Sequence, residues 1–235
     1  MKLFSFNSRC SQDLQRKTKT LFSTFAEFPL KGGQLIISPG KYTFSFYAKE
    51  MILLNDFLLV HGPMGITMAT RFFQQLGKQQ LLLERSGHGF IGFSLNHIAV
   101  VDNGTIFVCI KPRVVYELHA SSQCSKSLTK SSHEYQMNTP FKVCDFIEIK
   151  PPYILPIVLA KESSYFAIAS IVCACMMPQM KEIKEMKEIK HSKNGDKDDK
   201  ENVIAIMLPR MQGTQLYYAI CRATSKLEKP SLLLL

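Results

Sequence analysis

Residues 97–110, HIAVVDNGTIFVCI, hold two short apolar runs on either side of Asp102-Asn103-Gly104. Asn-Gly readily takes the left-handed backbone that a tight hairpin turn needs, so this stretch commits the chain to at least one antiparallel strand pair. The surroundings extend the pattern. QLIIS stops at Pro39-Gly40, and in KYTFSFY the aromatic Tyr42, Phe44 and Phe46 alternate with Thr43 and Ser45, the period of a strand with one buried face. RVVYEL reads as one more strand.

Helical spacing breaks into this β-rich region once. In LLVHGPMGIT, Leu58–Thr67, the apolar start reads as a strand, and Pro63 and Gly65 suit a turn that ends it. Beyond the turn, Met68, Phe72, Phe73 and Leu76 recur at the three-and-four spacing of one helix face. QQLLLER then reads as a strand closing at Ser86-Gly87-His88-Gly89. The predicted class is α+β, with small, mostly antiparallel sheets backed by helices and a helical, charged C-terminal extension.

The organisation expected along the chain has four parts. Residues 1–30 read as a transit segment or a basic arm, 31–92 as an N-terminal α+β domain and 93–178 as a second one. Residues 179–235 read as a charged helix, a disordered linker and a terminal strand pair. The first part rests on an acid-poor start, with five basic residues and only Asp13 in the first 25. Ser121–Ser132 is a polar loop, the apolar run Tyr165–Met177 a buried helix of thirteen residues, too short to cross a membrane. KEIKEMKEIK, from Lys181, reads as a solvated helix, and VIAIML with TQLYYAI as the late strand pair.

Charge narrows the partners. Lys and Arg number 29 against 19 acidic residues, an excess of 29 − 19 = 10 in a chain of 235. Lys181–Glu201 contributes seven Lys and seven acids, so the excess lies in the rest of the chain. A basic surface spread over a fold points to an anionic partner, nucleic acid ahead of an acidic membrane.

Seven cysteines without any C-x-x-C pair give neither a zinc site nor a redox dithiol, and several sit in apolar runs as small core residues. There is no H-E-x-x-H and no Walker loop, so no cofactor and no small-molecule substrate is expected. Residues 60–89 loosely resemble the end of an α/β-hydrolase with His88 as base, yet G-x-S-x-G occurs nowhere in the chain.

Two stretches together resemble the ribosomal large-subunit protein six family, mitochondrial members included. LIISPGKYTFSF followed by NDFLLVHGPMG is similar to the family's N-terminal half, with His61 where lysine is usual. IGFS followed by IFVCIKPRVVYEL is similar to its C-terminal half, and KPPY, Lys150–Tyr153, answers part of the closing basic motif. The family has histidine after the serine of IGFS, whereas this chain has Leu95, with His97 close by.

The resemblance implies two related domains stacked on ribosomal RNA in the matrix of mitochondria, among neighbouring ribosomal proteins and without enzymatic activity. It places Lys111, Arg113 and Lys150, with Arg71, Lys78 and Arg85, against phosphates. The alternatives are a basic β-rich interaction module outside the ribosome and a hydrolase-like remnant.

Overall fold

The structure, a computed structural model, describes residues 1–9, 12–118, 161–177, 203–224 and 231–232. The Ser121–Ser132 loop, the KEIKEMKEIK helix, the linker and Lys150 lie outside the described residues.

The alternation in KYTFSFY sorts the two faces of strand β3 (Lys41–Ala48), the centre of an antiparallel sheet with β1 (Lys2–Arg9) on one side and β2 (Lys31–Ser38) on the other. Phe4 lies opposite Phe46 and Phe6 opposite Phe44, so the phenylalanines share one face. Helix α1 (Gln12–Ser23) and the 3₁₀ turn Thr24–Glu27 cover that face with Phe22 and Phe25. Ring centroids sit 5.5 Å apart for Phe6–Phe25 and 5.1 Å for Phe25–Phe44, both edge-on, the arrangement aromatic quadrupoles favour. Residues 1–30 are therefore not an arm outside the fold: they supply β1 and α1, with Phe6, Leu21, Phe22 and Phe25 buried.

A second region follows with β4 (Met51–Leu53), α2 (Leu54–His61), α3 (Ile66–Glu84), β5 (His88–Phe90), β6 (Ile98–Val101), β7 (Ile106–Cys109) and β8 (Val115–Glu117). The helices α4 (Lys161–Met176), α5 (Val203–Met211) and α6 (Gln215–Ala223) complete it. The expected hairpin is β6–β7, its turn held by left-handed Asp102, Asn103 and Gly104. It forms a three-stranded sheet, β4-β6-β7, while β5 pairs with β8. All these pairings are antiparallel, and α+β is the class of the protein. Helix α4, apolar on every side, has no exposed position from Ser163 to Met177. No helix among the described residues is long and apolar enough to cross a membrane.

Four sequence readings are corrected. LLV of residues 58–60 is the end of α2, and only Met51–Leu53 just upstream pairs as a strand. QQLLLER belongs to the last turns of α3, with Leu83 buried. VIAIML and TQLYYAI fall in α5 and α6, where the buried residues recur at helical spacing: Val203, Ile204, Met207 and Met211, then Leu216, Ala219, Ile220 and Ala223. The boundary expected between residues 92 and 93 is crossed by the β4–β6 and β5–β8 pairings and by one continuous hydrophobic core.

Helix α3 also closes a sheet edge. Strand β7 ends its sheet, and its outward backbone groups meet side chains spaced four apart on α3. Arg71 donates to the Gly104 carbonyl at 3.2 Å. Gln75 donates to Thr105 O and accepts from Phe107 N. Gln79 donates to Cys109 O at 3.0 Å and accepts from Cys109 N at 2.9 Å. This polar ladder substitutes for a fourth strand and satisfies groups whose burial without partners is costly.

Candidate functional site

A cleft of about 550 Å³ opens where β1, β4 and the loops flanking the β6–β7 hairpin converge. Strand β1 lines it with Ser5, Phe6, Asn7 and Ser8, α1 with Leu14, and β4 with Met51. His97 enters from the loop before β6, and Ile110, Lys111, Pro112 and Arg113 from the segment after β7.

Each wall is positioned by local chemistry. The Ser94 N–H donates to His97 Nδ1 at 3.1 Å, and the Asn96 N–H donates to Ser94 Oγ at 3.3 Å, a reciprocal cap on the 3₁₀ turn Leu95–His97. An accepting Nδ1 puts the proton of a neutral ring on Nε2. The Ile110 N–H donates to the His97 carbonyl at 2.8 Å and binds the two loops to each other. Pro112 starts a second 3₁₀ turn, Pro112–Val114, which leaves Lys111 and Arg113 exposed on either side of a buried Pro112.

The lining is apolar at Phe6, Leu14, Met51 and Ile110, neutral polar on β1, and cationic at Lys111 and Arg113. None of the described residues that line it carries a carboxylate, and its charged ones are cations, a lining that favours an anion.

Of the residues expected to meet RNA, the structure brings Lys111 and Arg113 together here. Arg71, Lys78 and Arg85 are exposed and lie seven residues apart along α3 and its C-terminal cap. Arg71 is engaged with Gly104 as above, and the Lys78 ammonium donates to the Glu27 carbonyl while sitting 5.4 Å from the Phe28 ring centroid.

His88, the base of the hydrolase alternative, is 1% exposed on β5 and its Nδ1 lies 2.6 Å from the Ser86 carbonyl. No parallel pair exists among the described strands to present it at a carboxyl edge. No group of three or more His, Cys, Asp or Glu among the described residues is arranged to hold a metal ion.

Sequence reasoning missed Ser5, Asn7 and Leu14 because it set residues 1–30 apart from the fold. The aromatic alternation of residues 42–46 has its partner in the Phe4 and Phe6 alternation, and that signal was present. No family model matches the chain, and no curated protein matches it.

Proposed function

We propose that the chain is a non-catalytic binding module whose cleft is organised as in protein kinases. One observation carries this reading: strand β1, the loop entering β6 and the loop leaving β7 meet in a single cleft. In protein kinases such places carry, in this order along the chain, a strand lysine paired with a helix glutamate, the loop H-R-D-L-x-x-x-N and the triplet D-F-G.

Laid on that spacing, the loop here is Phe90-Ile91-Gly92-Phe93-Ser94-Leu95-Asn96-His97 and the triplet Ile110-Lys111-Pro112. Gly92 stands at the position of the proton-accepting aspartate and has no side chain to accept with. His97 replaces the metal-binding asparagine, and Ile110 the metal-binding aspartate. Ser5–Ser8 of β1 include no lysine, and α1 has no glutamate. Phosphoryl transfer of that type needs carboxylates to hold metal and orient a hydroxyl, and the charged side chains among the described lining residues are cations. What remains is a cleft and a surface for partners, the interaction-module alternative given a definite site.

The test has two arms. Alkylation of a cysteine placed at Asn7 should be slowed by ADP, and Lys111→Glu should abolish the protection. Unchanged alkylation at saturating ADP would overturn the cleft assignment. Transfer of labelled phosphate from ATP to protein acceptors, lost on Lys111→Glu, would overturn the non-catalytic one.

A second reading, a structural RNA-binding protein of the large mitochondrial ribosomal subunit among neighbouring ribosomal proteins, draws support from the exposed line Arg71, Lys78 and Arg85 with Lys111 and Arg113. It ranks second because the two three-stranded sheets differ in connectivity. The last hairpin strand, β3, is central in the first sheet, whereas the first hairpin strand, β6, is central in the other. They are not copies of one domain. Under this reading, Lys111→Gln with Arg113→Gln lowers RNA affinity and flattens its log–log salt dependence by about 0.7 to 0.9 per contact. An unchanged slope would remove it.

A further inference from the structure

Strand β2 is the edge of its sheet and is exposed along almost its whole length. Edge strands in soluble proteins are usually blunted by shortness, by charge in the middle of the strand, or by cover from another element. This one spans eight residues, and its Gln-Leu-Ile-Ile centre carries no charge. A register irregularity between Lys31 and Gln34 breaks the pairing only at the start.

Its exposed apolar residues fall on both faces of the sheet. Ile36 lies opposite Thr43 and shares the outer face, and Ile37 lies opposite Tyr42 on the face that carries Phe44. They are 46% and 53% exposed. One partner strand alongside β2 would cover both, because successive side chains of a strand point to opposite faces. From Phe28 to Lys49 the chain has no acidic residue, while Lys31 and Lys41, both exposed, mark the two ends of β2.

We propose that β2 is a docking edge for an extended, acid-flanked peptide segment of another protein, added to the sheet as a fourth strand. Backbone hydrogen bonds supply the affinity, and successive apolar side chains, one on each face of the sheet, cover Ile36 and Ile37. Acidic flanks meet Lys31 and Lys41. A second copy of the chain is the disfavoured occupant, since antiparallel pairing of two β2 strands brings the Lys31 end of one against the Lys41 end of the other, and like charges so placed repel. The proposal is independent of the cleft and stands if that reading fails.

The probe is a labelled peptide of about ten residues, with successive valines through its middle and glutamates at both ends, titrated onto the full chain. The expected result is saturable binding, weakened about fivefold or more when lysines replace the glutamates, and slowed amide exchange in β2 but not in β1. Ile36→Lys with Ile37→Lys should abolish binding while leaving the melting profile unchanged. Lys31→Glu with Lys41→Glu should reverse the preference between the two peptides. Equal binding of both peptides by the unaltered protein, no binding, or protection confined to β1 would overturn the proposal. Concentration-dependent dimerisation that the two lysine substitutions abolish would assign the edge to a second copy and overturn it too.

Discussion

Gln79 has no exposed surface and yet makes three hydrogen bonds: to Thr24 Oγ1, to the Cys109 carbonyl and from the Cys109 amide. It joins α3, the 3₁₀ turn Thr24–Glu27 and strand β7 at one point. Gln79→Leu keeps the volume and strands both Cys109 backbone groups, each worth about 1–3 kcal/mol when buried unpaired. A loss of about 2–4 kcal/mol in chemical denaturation is expected, against well under half of that for Gln74→Leu at an exposed position of the same helix. Cys109 adds a pH dependence. Burial pushes its thiol, and that of Cys173, up from the ordinary 9.0 to about 12. Between those values the unfolded chain releases protons that the folded chain retains, so stability falls as pH rises through this window and is untouched below it. Denaturation midpoints should stay level from neutral pH to about 8 and then decline, with a shallower decline in Cys109→Ala. Gln79 was not legible as a core residue, because glutamine is ordinarily exposed and its partners are backbone groups thirty positions away.

Among elements, legibility followed period and failed on bare apolar runs. The β6–β7 hairpin, the alternation of β3 and the all-round apolar α4 were plain because pattern and turn chemistry agreed. Leu81-Leu82-Leu83 and VIAIML were misleading, since a short run of branched or apolar residues reads equally as buried strand or buried helix. The discriminating signal in α6 was local. Thr214 precedes the helix, and its Oγ1 accepts from the Tyr217 N–H at 3.1 Å. A Thr cap ahead of three-and-four spacing is a helix start. Thr214→Ala should therefore cost about 1 kcal/mol, and Thr214→Ser much less. Equal denaturation midpoints for the alanine and serine variants would show that tertiary packing alone holds α6.

For the whole molecule, the question is how the β1-β3-β2 sheet is joined to the rest. Asp102 provides one tie: its Oδ1 accepts from the Lys49 amide at 2.7 Å and its own amide donates to the Glu50 carbonyl, fastening the connection between β3 and β4 to the hairpin turn. Helix α1 provides another, through Arg16 with Glu117 at 3.0 Å and Lys17 over the Tyr116 ring. The pair Arg16–Glu117 is exposed and contributes little energy, so it orients α1 more than it stabilises it. What stabilises α1 and β1 is the aromatic core they share with β3. Deleting residues 1–30 removes strand β1 with Phe6, takes Phe22 and Phe25 from the face of the sheet and uncovers Phe44 and Phe46. At about 1.5–3 kcal/mol for each large apolar side chain, that approaches the whole stability of an ordinary domain, about 5–15 kcal/mol. Residues 31–235 should accordingly be insoluble or lose cooperative unfolding, as judged by soluble yield and by near-ultraviolet circular dichroism. If the shortened chain instead stayed soluble and melted in one sharp transition, the first thirty residues would be a dispensable leader. The cleft wall built on Ser5–Ser8, and the kinase-like reading with it, would then have to be given up.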